Sequence, residues 1–138
     1  MYKVIIVDDE PIIVEGLKLG IEWAYWNCVI AGTASNGLAG LELMRKIKPD
    51  ILISDISMNN MDGLAMVAAI KSEYPDIEVC LLTGFRNFEY AQQAIRFGVG
   101  HYLLKPINKA ELTETLEKLG KRISERQVSE RDKQVLLE

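Results

Sequence analysis

Five short apolar runs punctuate the chain, at about 4–7, 28–32, 51–54, 79–82 and 101–104. Each is continuous, with no polar residue at every second place. That pattern predicts strands buried on both faces, as in a parallel sheet covered by helices. The segments between them carry helical spacing instead. Ile12, Ile13, Leu17 and Ile21 mark the first helix, with Pro11 placed in its first turn. Leu38, Leu41, Met44 and Ile47 mark the second, with Ser35 or Asn36 as its cap. Leu64, Val67 and Ile70 mark the third. Phe88, Ala91 and Ile95 mark the fourth, with Gly98 as a stop. Strand and helix alternate five times, which predicts an α/β fold with a doubly wound parallel sheet.

The last helix has its own start signal. Asn108 followed by Glu111 resembles a capping box, and Ile107 with Leu112 suits the flanking staple. Leu112, Leu116, Leu119 and Ile123 then repeat at 4-3-4 spacing. Beyond Ile123 the same register meets Arg126, Glu130 and Lys133 before Leu137. From Lys109 onward there are seven basic and seven acidic residues, a mixed charged surface. Two readings stay open: a helix running into a solvated linker, or a dimerising coiled coil, which wants three or more clean heptads. The organisation expected is a domain over residues 1–122 and a helical extension over 123–138.

Composition narrows the setting. A length of 138 residues suits one core. The net charge of -4 gives the body of the chain no basic surface for nucleic acid. No apolar run approaches the roughly 18 residues of a membrane span. The N-terminus, one lysine before an apolar run that ends in acids, does not read as a signal peptide. A cytoplasmic location, without membrane contact, is the expectation. Cys28 and Cys80 fall inside apolar runs and read as reduced core thiols. His101, the one histidine, is expected at the start of a strand.

The chemistry lies where the apolar runs stop. Val4-Ile5-Ile6-Val7 leads into Asp8-Asp9-Glu10, and Ile51-Leu52-Ile53-Ser54 into Asp55. Val79-Cys80-Leu81-Leu82 leads into Thr83, and Tyr102-Leu103-Leu104 into Lys105-Pro106. Ligands of open parallel sheets bind outside the carboxyl ends of the strands. Asp8, Asp9 and Asp55 would converge there with a hydroxyl and an ammonium. Acids so placed repel one another and lose hydration, which a cation relieves. Hard oxygen ligands favour Mg²⁺. Asp55 can act as a phosphoryl-accepting nucleophile, since carboxylates form acyl phosphates. Mg²⁺, Lys105 and Thr83 can then share the phosphoryl oxygens.

At this point the chain resembles the receiver domain of bacterial two-component response regulators. Five motifs carry the resemblance, in order, over about residues 2–120: Val7-Asp8-Asp9-Glu10, Ser54-Asp55-Ile56, Met61-Asp62-Gly63, Leu82-Thr83-Gly84 and Leu104-Lys105-Pro106. Phe88-Glu89-Tyr90-Ala91 and the tail look most like AraC/YesN-like regulators, whose helix-turn-helix output domain this chain does not contain. The resemblance implies a flavodoxin-like sheet of order 2-1-3-4-5. It implies that Asp55 takes a phosphoryl group from a sensor histidine kinase and that phosphorylation drives homodimerisation. It implies Mg²⁺ contacts from Asp9, from Asp8 mainly through water, and from the Ser57 carbonyl. Thr83 and Tyr102 are the implied switch pair, Lys105 the phosphate partner, and Lys105-Pro106 a cis bond. It also implies that DNA is contacted only through the output domain, and that the receiver is a phosphoacceptor and not an enzyme with an external substrate.

Some positions depart from the family. Asn59 stands where proline is usual, and His101 where aspartate is common. Phe85, two residues after Thr83, is bulky and is expected to flank the approach of attacking water. Two rivals fit less well. A haloacid dehalogenase-type phosphatase needs an aspartate two residues after its nucleophile, where this chain has Ser57. An FMN carrier needs a Ser/Thr/Gly-rich loop after the first strand, whereas Asp8-Asp9-Glu10 would repel a phosphate.

Overall fold

The computed structural model describes residues 1–56, 63–84, 88–96 and 98–137. Ser57, Asn59 and Phe85 lie outside them. The strands are β1 (Tyr2–Val7), β2 (Cys28–Ala34), β3 (Ile51–Asp55), β4 (Glu78–Thr83) and β5 (His101–Leu104). The helices are α1 (Pro11–Gly20), α2 (Gly37–Ile47), α3 (Gly63–Glu73), α4 (Phe88–Ile95) and α5 (Lys109–Leu137). All strand pairs are parallel, in the order β2-β1-β3-β4-β5. This is the doubly wound order that the family resemblance implies.

Every residue of β3 and β4 is buried, as unbroken apolar runs predict. Successive side chains point to opposite faces of the sheet, so each strand feeds two cores. Val4, Ile6, Ile51, Ile53, Cys80 and Leu82 pack under α1 and α5. Ile5, Val7, Leu52, Val79 and Leu81 pack under α2 and α3. Gly40 lets α2 approach the sheet closely. A Cβ there would stand 3.0 Å from both Met66 Sδ and Val7 Cγ2.

Helix ends follow the expected chemistry. Asn36, not Ser35, caps α2, its Oδ1 accepting from the Ala39 N–H at 2.8 Å. Asn108 Oδ1 accepts from the Ala110 and Glu111 N–H groups at the start of α5. Gly98 has φ +92°, the left-handed region that suits glycine after a helix. His101 opens β5, Cys28 and Cys80 are free buried thiols, and the Lys105-Pro106 bond is cis.

The helical stripes differ in detail from the sequence reading. Ile13, Val14 and Leu17 face the core, which turns Ile12 outward to 80% exposure. Leu38 and Ile95 are also exposed, and Ile21 is buried but lies past the end of α1 in extended backbone. β2 runs two residues beyond the predicted stretch, to Ala34. A 3₁₀ turn over Trp23–Trp26 also goes unpredicted; its Trp23 indole N–H donates to the Leu17 carbonyl at 3.1 Å.

Leu112, Leu116, Leu119 and Ile123 of α5 are all buried. One turn further, Arg126 donates to the Asp76 carbonyl and to the Glu78 carboxylate. Arg122 Nε meets the same carboxylate at 3.2 Å. α5 is thus fastened to the first residue of β4 by two arginines. Among the described residues, no helix is long and apolar enough to cross a membrane.

Candidate functional site

Strand register brings the chemistry together. Val7 pairs with Ser54, Asp55 with Leu82, and Thr83 with Leu104. Asp8, Asp55, Thr83 and Lys105 therefore stand at or just past one edge of the sheet, the edge where parallel sheets bind ligands. Asp8, Asp55 and Thr83 are buried and Asp9 is half-buried.

Asp8, Asp9 and Asp55 each offer a carboxylate oxygen, and these oxygens lie within 4.8 Å of one another. Lys105 Nζ sits among them, 3.2 Å from Asp8 Oδ2 and 3.2 Å from Asp55 Oδ2. Its contact with Asp55 is a hydrogen bond. Its contact with Asp8 is an ion pair, and Lys105 is the only cation that Asp8 Oδ2 meets among the described residues. The other oxygen, Asp8 Oδ1, accepts from the Glu10 N–H at 2.9 Å.

Burial raises the Asp8 carboxyl above its ordinary range, and the Asp55 charge pushes the same way. The Glu10 N–H and Lys105 only partly offset this. Burial pulls the Lys105 ammonium down, but Asp55 and Asp8 outweigh it and leave Lys105 raised. One ammonium thus serves a crowd of acids. Three carboxylates with oxygens within 4.8 Å of one another fit a divalent cation held by hard oxygen ligands. Asp8, Asp9 and Asp55 are the residues that could hold it.

Thr83 is fully buried, and its Oγ1 donates to the Gly84 carbonyl at 3.1 Å. Tyr102 lies on β5 two residues before Leu104, the partner of Thr83. Side-chain alternation therefore puts Thr83, Tyr102 and Leu104 on one side of the sheet. Tyr102 is 36% exposed. The expected Ser57 carbonyl ligand and the Phe85 ring fall outside the described residues.

Glu10 is the neighbour that the sequence reading did not single out. Its Oε2 lies 3.7 Å from Lys105 Nζ. The signal was present as a third acid after β1, but residue type alone does not say which of three adjacent acids turns toward a lysine ninety-five places on.

Comparison with known proteins agrees with this geometry. The family model for the response regulator receiver domain matches residues 4–117. The transcriptional regulatory protein YesN of Bacillus subtilis is 39% identical over 119 residues, 86% of this chain and 32% of the relative. Transcriptional regulatory protein HptR of Staphylococcus aureus is 36% identical over 127 residues, 92% of this chain and 50% of the relative. The chain thus spans between a third and a half of these curated relatives. The solved REC domain of AraT, a response regulator from Geobacillus stearothermophilus, superposes with a TM-score of 0.88 at 37% identity. That superposition covers 91% of this chain and 98% of the other. The family match runs from the first buried strand into α5, and by it the chain belongs to the response regulator receiver domains, a family of signalling domains.

Proposed function

We propose that Asp55 accepts a phosphoryl group from a phosphohistidine on a sensor histidine kinase, and that the domain thereby controls a DNA-binding output domain in the whole regulator. The observation that carries this reading is the placement of Asp55. Its carboxylate ends β3 inside an acid cluster and already holds Lys105 at 3.2 Å. An Asp55 oxygen forms the new P–O bond while the P–N bond to the imidazole breaks. The electron pair leaves with the imidazole nitrogen. Asp8, Asp9 and Asp55, with the Ser57 carbonyl, would hold Mg²⁺, which supplies positive charge opposite the phosphoryl oxygens.

The Lys105 ammonium pairs with one phosphoryl oxygen. The Thr83 hydroxyl turns from the Gly84 carbonyl to another. Tyr102 then moves inward from its exposed position on the same side of the sheet. This is a population shift between two packings, biased by the phosphoryl contacts, and it favours a homodimer. The setting is cytoplasmic, and DNA contact belongs to the output domain. The residues act once per phosphoryl group, so the domain is a switch and not an enzyme with an external substrate.

The test is intact mass after incubation with acetyl phosphate and Mg²⁺. Wild type gains one phosphoryl group, and Asp55→Asn stays folded and gains none. Equal labelling of Asp55→Asn would show that another residue is the acceptor.

A further inference from the structure

Lys105 occupies oxygens that a divalent cation would need. Its Nζ lies at 3.2 Å from Asp8 Oδ2 and from Asp55 Oδ2, and both acids belong to the three-carboxylate cluster. A divalent ion and an ammonium repel each other strongly when they share contact oxygens in a partly buried site. Loading the cluster therefore requires the ammonium to shift. Lys105 has one ion-pair partner outside the cluster among the described residues, and that is Glu10, at 3.7 Å.

Glu10 is built for this role in two ways. Its backbone N–H is tied to Asp8 Oδ1 at 2.9 Å, which fixes the residue beside the cluster. It also stands at the N-cap of α1, yet its side chain makes no capping hydrogen bond. The main chain does that work, its carbonyl accepting from the Ile13 and Val14 N–H groups. The carboxylate is left on the solvent side of Lys105, with a side-chain exposure of 54% against 0% for Asp8 and 7% for Asp55.

We propose that Glu10 is a positioning residue for Lys105. Its carboxylate takes the ammonium when a divalent cation occupies Asp8, Asp9 and Asp55, and keeps it at the mouth of the site to meet the phosphoryl group. The proposal rests on the phosphoacceptor reading above and adds to it a residue and a movement.

A double-mutant cycle read by Mg²⁺ calorimetry tests it, on wild type, Glu10→Gln, Lys105→Met and the double variant. Lys105→Met alone should tighten Mg²⁺, because a competitor is gone. Glu10→Gln should weaken Mg²⁺ by about 3–10-fold when Lys105 is present, and by less than about twofold in the Lys105→Met background. Equal fold-changes in the two backgrounds would show that Glu10 acts only as a distant charge and would overturn the proposal. No change in either background would overturn it as well. Failure of wild type to bind Mg²⁺ would sink the cation reading itself, an outcome distinct from failure of Glu10 alone. A second measurement needs no Lys105 variant: the side-chain ¹³Cε resonance of Lys105 during Mg²⁺ titration. Different Mg²⁺-loaded positions in wild type and Glu10→Gln support the proposal. Identical positions overturn it.

Discussion

Asp8 and Lys105 feel the same pocket with opposite consequences for stability. The folded Asp8 carboxyl keeps its proton to higher pH than the unfolded one, chiefly because it is buried. Between its ordinary value of 3.8 and its raised folded value, the folded state binds more protons. Stability from this group therefore falls as pH rises through that window, and the cost is complete above it. Lys105 is raised instead, so its contribution is fully present below its ordinary 10.5 and is lost only as pH climbs through the folded value. Asp8→Asn keeps an oxygen for the Glu10 N–H and removes the charge. Without divalent cation it should be more stable than wild type at pH 7, because the buried charge is gone. The gap should close as pH falls toward 3.8. Urea unfolding from pH 3 to 8 measures this, and a gap that does not vary with pH would mean that the buried charge is not its cause.

Among the elements, α5 carries the largest departure from local pattern. Leu112, Leu116, Leu119 and Ile123 were legible because they repeat on one face, and all four are buried. Arg126 continues that face, yet its partner Glu78 lies forty-eight places back at the start of β4. No local rule connects them. Arginine in a seam reads as the end of a core until the facing element supplies an acid. The five strands were legible for the opposite reason, whereas their order came from the family resemblance. Continuous apolar runs and the chemistry at their ends are local signals, and register then assembles the site. What escaped was orientation. Ile12 and Leu38 sit where period alone favours the core, but neighbouring Ile13, Val14, Leu17 and Leu41 claim it. The aromatic 3₁₀ turn was hidden too, since Trp23 is held by the Leu17 carbonyl and by packing, not by a turn motif. Glu78→Gln should loosen the clasp by about 1–2 kcal/mol, less than a fully buried pair because both arginines reach solvent. Hydrogen exchange should quicken from about residue 122 onward and stay unchanged in β3. Unchanged exchange in α5 would show that Ile123 and helix propensity hold it without the clasp.

At the scale of the whole molecule, the acid cluster makes stability depend on the solution. A cation that binds the folded cluster and not the unfolded chain raises the melting temperature with concentration. At about 100 times its dissociation constant the gain is about 2.7 kcal/mol. Asp9→Ala should lose most of the Mg²⁺ effect while keeping the fold, because Asp9 is the half-buried member of the three. Thermal melts across a Mg²⁺ series check this. An undiminished rise in Asp9→Ala would place the cation elsewhere.

The clasp at Arg126 also makes α5 a shaft with a defined angle. The helix runs on to Leu137 past Arg126, its last fastening point among the described residues. Each residue turns it by about 100° and advances it by about 1.5 Å. Anything joined rigidly to its end is therefore aimed as well as tethered. Two inserted residues would swing that cargo by about 200°, nearly to the far side, while seven would bring it back within about 20°. Energy transfer between a dye on the body and one fixed to a helical extension should oscillate with insert length at about 3.6 residues per cycle. A smooth decline with length would mean that α5 passes on reach without direction.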